Sequence, residues 1–366
     1  MFALVAIVAF TVGGALRPRT TTAAGSPTGA RAGAGATAGY PPESSPGAGV
    51  ASGGGSASYA GVVDIDTELG YQGARAAGTG MVLSASGEVV TNNHVVDGAT
   101  TITATAVDTG HTYSARVVGT DPTEDVAVIQ LMGASGLATV STSEAAHLAV
   151  GDPVVAIGNA GGRGGTPSVV NGNIVALDQA ITASDQTGAN AERLTGLIEV
   201  DAPIEAGDSG GPLTDGSGTV IGMDTAAEVS GSRFRSSAQA GYAIPIAKAR
   251  SVADQIESGK ASATIHIGLP AFLGVQVDGS GSSSDFGPAS GGAPVAGVVP
   301  GTPAASIGVA AGDTITSVDG RTVDSASGLS TLLQSARPGD KVAIGWVDQS
   351  GTEHTARATL ATGPAD

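Results

Sequence analysis

Short apolar runs separated by turn residues dominate the chain between residues 59 and 260. Typical runs read GVVDIDTEL, GTGMVLS, TITATAV, DVAVIQL and PVVAIG, and Gly, Asp or Asn stand between most of them. Many short strands at such spacing predict an all-β sandwich or barrel. The segment 244–260, IPIAKARSVADQIESGK, instead keeps its apolar residues at helical spacing and reaches a C-terminal stop at Gly259. The sequence therefore predicts a β domain over 59–260 that ends in a helix.

A second module follows over residues 268–362 and mixes both periodicities. Strands are predicted at AFLGVQV, APVAGVV, DTITSVDG, KVAIGWVD and HTARATL. Helices are predicted at PAASIG and SASGLSTLLQSA. The second module is therefore predicted to be an α+β domain.

The N-terminal residues 1–16, MFALVAIVAFTVGGAL, are almost wholly apolar. A full membrane span needs about 20 such residues, so this run fits a signal-peptide core or a short anchor. The basic residues Arg17 and Arg19 follow the run instead of preceding it, and no clean cleavage site is present. This pattern favours an anchor over a cleaved signal. Residues 17–58, rich in Gly, Ala, Ser, Thr and Pro, are predicted to be a disordered linker.

The composition of the chain argues against several classes of function. The 366 residues carry a formal net charge of −17 without a basic block, which argues against a nucleic acid partner. The chain contains no cysteine, which excludes disulfides, thiol catalysis and Cys-ligated zinc. None of its five histidines lies within four residues of another, so no helical HExxH site exists. We expect neither a metal nor a cofactor.

The motif GDSGGPL at 207–213 makes Ser209 a candidate nucleophile. A serine hydroxyl is a weak nucleophile and needs a base that a carboxylate orients. The base candidate is His94 in EVVTNNHVVDGAT, because a strand end presents a side chain to a cleft. The other four histidines lie beside turns, in a polar segment or between the modules, and an ordinary surface role is favoured for each: His111, His147, His266 and His354.

The orienting acid is predicted to be Asp125 in DPTEDVAVIQL. It directly precedes an apolar run and so enters the edge of the core, where a carboxylate needs a partner. Asp121 precedes a proline and is typical of a turn, and Glu124 is the alternative acid. The resulting order His94, Asp125, Ser209 is that of chymotrypsin-like double barrels, whereas subtilisin-like and α/β-hydrolase chains use other orders.

Glycines around Ser209 suit an oxyanion hole. The backbone N–H groups of Gly207 and Ser209 are the predicted donors, and glycine allows the backbone conformation that such a loop needs. The glycine-rich segment GNAGGRGG, 158–165, is predicted to form a loop near the same site.

These motifs resemble the HtrA (DegP/DegS-like) family of serine proteases. The resemblance is carried by TNNHVV, DPTEDVAVIQL, AIGNAGG, DAPIEAGDSGGPL and VIGMDT, while AFLGV and PGTPAASIGVAAGDTITSVDG are similar to the family's PDZ domain. VVDIDTELGYQGARAAGTG and ASATIHIGLPAFLGV resemble the exported mycobacterial, PepA-type subgroup. The implied fold is mainly β: a chymotrypsin-like double six-stranded β-barrel followed by an α+β PDZ domain. One departure is Asp208, where the family often has Asn before the nucleophile.

The resemblance also implies an activity. We expect an ATP-independent serine endopeptidase that acts on unfolded or misfolded exported proteins and is tethered to the cytoplasmic membrane through its N-terminal segment. The family commonly forms homotrimers, so a homotrimer is one candidate for the oligomeric state, which the sequence leaves open. A PDZ domain binds C-terminal peptides as an added strand, and the backbone of its loop holds the carboxylate. The matching segment is FLGV: Phe272, Leu273, Gly274 and Val275.

The sequence gives partial information about which substrate side chain the S1 pocket accepts. The position six before the nucleophile, at the base of the S1 pocket in trypsin-like enzymes, is Pro203 and not an acid, so no preference for Arg or Lys is expected. Ala226 and Ala227 are candidate S1 wall residues. Two other functions stay open at this point: a latent protease that acts mainly as a peptide-binding chaperone or stress sensor, and an esterase of the same fold.

Overall fold

A computed structural model describes residues 59–143, 147–184, 191–225, 228–229, 241–277 and 291–365. The predicted anchor 1–16 and linker 17–58 lie outside these residues, as do the S1 candidates Ala226 and Ala227. Among the described residues, no helix combines the length and the apolar character needed to cross a membrane.

The first β-barrel is a closed ring of six strands. They are β1 (Val62–Leu69), β2 (Ala74–Val82), β3 (Glu88–Thr91), β4 (Thr101–Ala106), β5 (Thr112–Asp121) and β6 (Val126–Leu131). The antiparallel order β4-β1-β2-β3-β6-β5 closes because β5 also pairs with β4. In β4 (TITATA), alternate residues point into the core, as the period of a strand requires. A short helix, α1 (Asn93–Val96), follows β3.

The second barrel repeats this design. Its ring comprises β7 (Pro153–Gly158), β8 (Ser168–Ser184), β9 (Ala191–Val200), β10 (Pro212–Asp215), β11 (Val220–Thr225) and β13 (Gly241–Pro245), and β12 (Glu228–Val229) pairs with β8 at its side. The order β8-β7-β10-β11-β13-β9 closes through the pairing of β8 with β9. The predicted double six-stranded β-barrel is therefore confirmed.

Helix α2 (Ile246–Glu257) joins the two barrels through its apolar stripe. The stripe packs in one core cluster with Met81 and Val128 of the first barrel and Met223 and Ile244 of the second. Its buried residues recur at the helical spacing predicted from the sequence: Ile246, Ala249, Val252, Ala253 and Ile256. Full burial of an isoleucine stabilises by about 1.5–3 kcal/mol, so this helix fixes the barrels to each other. The next strand, β14 (His266–Ile267), returns to pair with β5.

The C-terminal module has a six-stranded sheet with its own core. Its elements are β15 (Ala271–Phe272), β16 (Val275–Val277), β17 (Ala293–Val298), α3 (Pro303–Ile307), β18 (Thr314–Val318), β19 (Arg321–Thr322), α4 (Ala326–Gln334), β20 (Lys341–Val347), β21 (Glu353–Thr359) and β22 (Ala361–Thr362). The sheet order is β16-β17-β18-β20-β21, with β19 beside β18 and β15 paired with β22. The run AFLGVQV, predicted as one strand, is two strands because Gly274 takes a φ of +86° between them.

The residues that follow β22 pack on the first barrel. Ala365 belongs to the core of that barrel and is 2% exposed. Its carbonyl accepts from Gly98 N–H at 2.8 Å, and its own N–H donates to the Ala99 carbonyl at 3.1 Å. Nearby, the rings of Tyr71 and Phe272 lie 5.0 Å apart. The C-terminal module thus contacts the barrel through both backbone and side chains.

Candidate active site

His94 and Asp125 are hydrogen-bonded to each other. Nδ1 of His94 lies 2.9 Å from Oδ2 and 3.0 Å from Oδ1 of Asp125, and the His94 backbone N–H donates to Oδ1 at 3.0 Å. The His94 side chain is 42% exposed, whereas that of Asp125 is 3% exposed. A carboxylate that accepts from Nδ1–H selects the tautomer whose lone pair is on Nε2. The imidazole can therefore take up a proton at Nε2.

Local backbone structure places both side chains. His94 lies on α1 and not at a strand end as the pattern had predicted, because β3 ends at Thr91 and the helix begins at Asn93. Asp125 follows a 3₁₀ turn, Pro122–Glu124, and has a left-handed φ of 54°. Such a φ is uncommon for a residue other than glycine. The Asn92 side chain donates to the Asp125 carbonyl at 3.1 Å and so ties this strained residue to the chain beside His94.

The end of β11 connects the acid to the loop that carries Ser209. The Thr225 hydroxyl donates to Oδ2 of Asp125 at 3.3 Å. The preceding residue, Asp224, accepts from the backbone N–H of Gly210 at 2.9 Å. Two adjacent residues of one strand therefore hold the orienting acid and the immediate neighbour of Ser209.

The Ser209 loop is held from the first barrel by Thr79. The Thr79 backbone N–H donates to the Ser209 carbonyl at 2.8 Å, and its hydroxyl donates to the Gly207 carbonyl at 2.8 Å. Thr91 in turn donates its hydroxyl to the Thr79 carbonyl at 2.6 Å. Ser209 belongs to the second barrel, so these bonds bring it to the barrel that carries His94 and Asp125.

The peptide between Ala206 and Gly207 has a fixed orientation. The Gly161 N–H donates to the Ala206 carbonyl at 2.7 Å. Because C=O and N–H of a trans peptide point in opposite directions, this bond turns the N–H of Gly207 away from Gly161. Gly207 has a φ of +101°, and a Cβ there would meet the Asn159 carbonyl and the Gly162 nitrogen. The segment 158–165 thus lies against the Ser209 loop, as predicted.

Two buried acids, Asp208 within this loop and Asp224 on β11 against it, lie beside Ser209. Oδ1 of Asp208 accepts from the Ser168 hydroxyl at 2.7 Å, and Oδ2 accepts from the Glu205 N–H at 3.0 Å. Burial raises the pKa of Asp208 above its ordinary value, although both hydrogen bonds oppose the shift. Burial raises the pKa of Asp224 well above its ordinary value, and the charge of Asp208 raises it further.

The predicted S1 residues are only partly described. Pro203 is half-buried in the segment that leads to the Ser209 loop. Its neighbour Ile204 lies over Gly241 of β13, where an added Cβ would come within 2.8 Å of Ile204 Cγ1.

The predicted carboxylate-binding segment of the C-terminal module lies at the edge of its sheet. Phe272 and Leu273 are buried, and Val275 begins β16, the terminal strand in the sheet order of the described residues. The Leu273 and Gly274 carbonyls accept from Ala304 and Val299 N–H groups, at 2.8 and 3.0 Å. The Leu273 and Gly274 carbonyls are therefore bonded within the module. This arrangement is compatible with backbone N–H groups of the same segment pointing toward a ligand.

The competing candidates have other partners. Glu124 accepts from Lys248 Nζ at 2.6 Å, and Asp121 caps the 3₁₀ turn through the Thr123 and Glu124 N–H groups. His354, which lies on β21 of the C-terminal module, is hydrogen-bonded through Nε2 to Oδ2 of Asp348 at 2.7 Å. Throughout the described residues, no three His, Cys, Asp or Glu side chains form a group that could hold a metal ion.

Sequence reasoning missed Thr79, Thr225 and Asp224. Each is a polar residue inside an otherwise apolar or small-residue run, GTGMVLS or VIGMDT, and each is buried. A buried polar side chain needs a partner, so the composition of these runs was a usable signal. The hydrogen-bond partners of these residues could not be predicted from the sequence, because they lie up to 128 residues away along the chain.

Comparisons with known proteins agree with this architecture. The trypsin-like peptidase domain family matches residues 78–223, and the PDZ domain family matches residues 271–357. Serine protease PepD of Mycobacterium tuberculosis is 35% identical over 315 residues, which are 82% of this chain and 63% of PepD. The periplasmic pH-dependent serine endoprotease DegQ of Escherichia coli is 34% identical over 270 residues, 73% of this chain and 56% of DegQ.

Among solved structures, the HtrA-type protease AlgW with a tripeptide is 29% identical, matches 85% of this chain and 96% of its own, and has a TM-score of 0.46. This chain spans 63% of PepD and 56% of DegQ, less than two thirds of the length of either relative.

Proposed function

This chain belongs to the HtrA family, in which a trypsin-like peptidase domain precedes a PDZ domain, and we propose that it is a serine endopeptidase. The observation that carries the proposal is the bonded pair His94–Asp125, joined through Thr225 and Asp224 to the loop of Ser209. In the proposed organisation, residues 59–260 form the protease domain and residues 268–362 the PDZ domain.

The proposed mechanism assigns one role to each side chain. His94 Nε2 takes the proton of the Ser209 hydroxyl as Oγ attacks the scissile carbonyl carbon. Asp125 holds the Nδ1–H tautomer and stabilises the imidazolium that forms. The tetrahedral intermediate collapses when His94 gives the proton to the leaving amine. Water then attacks the acyl-enzyme with His94 again acting as base, and Ser209 is regenerated.

The backbone donors of Gly207 and Ser209 are proposed to bind the oxyanion. The bond from Gly161 to the Ala206 carbonyl supports this role, because it directs the Gly207 N–H away from the 158–165 segment. Donors fixed before the reaction need no reorganisation when the negative charge develops, which is why such sites accelerate acyl transfer.

Substrates are proposed to be unfolded or misfolded exported polypeptides with a small or medium aliphatic side chain at P1. Pro203 supplies no negative charge that would favour a basic P1 side chain. Ala226 and Ala227 are proposed as wall residues. The PDZ segment Phe272–Val275 is proposed to bind peptide C termini, with backbone N–H groups on the carboxylate and the edge of β16 on the peptide strand.

The proposed location is the cell envelope, with residues 1–16 as the membrane tether. Two observations support it: the relatives DegQ and DegP of Escherichia coli are named periplasmic, and residues 1–16 are almost wholly apolar. A homotrimer, with no metal or other cofactor, is the proposed state.

The test is covalent labelling of the full chain by a fluorophosphonate serine probe, beside Ser209→Ala. We expect the wild-type chain to be labelled and to degrade a denatured protein, and Ser209→Ala to do neither. Labelling with hydrolysis of small esters but no proteolysis would instead support an esterase. If neither chain is labelled while PDZ peptides still bind, the protease proposal is wrong and a peptide-binding chaperone or sensor takes its place.

A further inference from the structure

Asp224 presents a fully buried carboxyl group directly behind the nucleophile loop. Its side chain is 0% exposed, and within the described structure neither of its carboxyl oxygens has a hydrogen-bond partner. Its backbone holds the loop on both sides: its carbonyl accepts from Gly210 N–H at 2.9 Å, and its N–H donates to the Gly211 carbonyl at 2.8 Å. A displacement of Asp224 would therefore move the residues next to Ser209.

Among the described residues, no cation acts on Asp224. From the nucleophile loop, Asp208 is the charged group that acts on it, and from β7 the Ile157 amide favours the ionised form weakly. From β13, Ala243 lies opposite it in register. On α2, Lys248 bonds to Glu124, and the charge of Arg250 lowers the pKa of Glu257.

The two buried acids differ in what stabilises their ionised forms. Asp208 has the Ser168 hydroxyl and the Glu205 N–H as donors, whereas Asp224 lacks any hydrogen bond of ordinary geometry. An ionised carboxylate buried without a partner costs several kcal/mol, and two neighbouring carboxyls resist ionising together. The proton is therefore held by Asp224 while Asp208 carries the charge.

We propose that Asp224 is a positioning residue that works as a neutral acid, keeping β11 against Gly210 and Gly211 while it is protonated and releasing the Ser209 loop when it ionises. Because the Asp224 side chain is 0% exposed, an ionised carboxylate would be drawn toward water, and that movement would strain these backbone bonds. The proposal rests on the proposed protease function, because the loop it positions carries the nucleophile. It predicts that the protease activity of this chain falls at alkaline pH for a reason that does not involve the titration of His94.

The sign of the effect on stability follows from proton linkage. The folded-state pKa of Asp224 is raised, so the folded protein binds a proton that the unfolded chain has lost above about pH 4. The stabilisation is fully present below that pH and is lost as pH rises toward the folded pKa. In this window the unfolding equilibrium constant grows about tenfold per pH unit for this one group.

The first measurement compares Ser209→Ala with Ser209→Ala/Asp224→Asn in equilibrium unfolding by urea between pH 4 and 9. Asn keeps the shape of the neutral acid and cannot ionise, and the shared Ser209→Ala prevents self-digestion. We expect the ratio of their unfolding constants to change by up to tenfold per pH unit above about pH 4, with the Asp224 protein losing stability. Parallel curves would overturn the proposal, and they do not depend on whether the chain is a protease.

The second measurement follows kcat/KM against pH in the active chain, with each profile normalised to its own maximum. Asp224→Asn should extend activity to higher pH. Asp208→Asn removes the neighbouring negative charge and so lowers the pKa of Asp224. The alkaline loss of activity of this variant should therefore begin at lower pH than in the wild-type chain. This variant still tests the proposal if Asp224→Asn does not fold. Identical alkaline limbs in all folded variants would contradict the positioning role. A stability difference without any proteolysis would leave the titration standing and refute the proposed function.

Discussion

The Thr79 hydroxyl of one barrel donates a hydrogen bond to the Gly207 carbonyl of the other, at 2.8 Å. The Thr79 hydroxyl oxygen also accepts a hydrogen bond from the Asn159 N–H at 2.9 Å. One side chain therefore positions both the Ser209 loop and the start of the 158–165 segment.

Replacing Thr79 by Val should lower kcat with little change in KM. The change leaves the Gly207 carbonyl and the Asn159 N–H buried without their partner, which costs about 1–3 kcal/mol for each such group. Relaxation of either group moves the donors that the proposal assigns to the oxyanion. Steady-state kinetics and urea unfolding measure both effects.

Thr79→Ser is the matched control, because it keeps the hydroxyl and removes only a methyl group. It should retain most of the activity that Thr79→Val loses. Equal losses in both variants would show that packing, and not the hydrogen bond, is what Thr79 contributes.

Asp125→Asn should lower kcat by about 10⁴-fold, the size of effect known for this substitution in serine protease triads. The amide can donate to Nδ1 and so stabilises the wrong tautomer of His94. Glu124→Gln is the control, since Glu124 bonds to Lys248 and not to His94. If the two variants lost activity equally, Asp125 would not be the orienting acid.

Gly207→Ala should reduce kcat by roughly 10²–10³-fold, the loss expected when an oxyanion donor is misplaced. A Cβ at this position would meet the Asn159 carbonyl, and the φ of +101° is strained for any residue with a side chain. Gly216→Ala is the control, because a Cβ there would meet nothing within 4 Å. Circular dichroism shows whether both variants are folded, and full activity of a folded Gly207→Ala would remove Gly207 from the oxyanion hole.

Ala365→Asp should destabilise the first barrel and separate its thermal unfolding from that of the PDZ domain. The substitution places a carboxylate in an apolar core where Ala365 is 2% exposed, and such burial costs several kcal/mol. Calorimetry should then resolve an earlier transition. Thr362→Asp, at an exposed position three residues before it, should leave the calorimetric trace unchanged. Identical traces for the two variants would show that residue 365 does not hold the domains together.

The sequence allowed the barrel strands, the helix over 246–257 and the candidate triad to be predicted, because each depends on local periodicity or on a short motif. The order His94, Asp125, Ser209 then selected one fold among those that share this chemistry. The double barrel followed from that order and from the family resemblance, and the closed strand pairings confirm it.

Contacts between distant segments could not be predicted in the same way. Nothing in GTGMVLS indicates that Thr79 binds a carbonyl 128 residues later. Nothing in VIGMDT shows that the Asp224 carboxyl is buried without a hydrogen bond of ordinary geometry among the described residues, or that Thr225 donates to Asp125. These relationships arise from the closure of two rings against each other. His94 was placed at a strand end because the apolar alternation of β3 stops just before it, whereas the short helix α1 has too few residues to show a period.

The burial of Ala365 in the first barrel also sets an order of events during synthesis. The strands of that barrel leave the ribosome early, yet the core they enclose lacks one of its members until residue 365 has been translated. Domains usually fold in the order in which they emerge, N-terminal first. Here residue 365, which follows the PDZ domain along the chain, contributes to the core of the barrel that carries His94. That core is therefore complete only after the PDZ domain has been made and residue 365 has packed onto the barrel. A nascent chain that has been translated past Ser209 therefore still lacks one core residue of the barrel that carries His94.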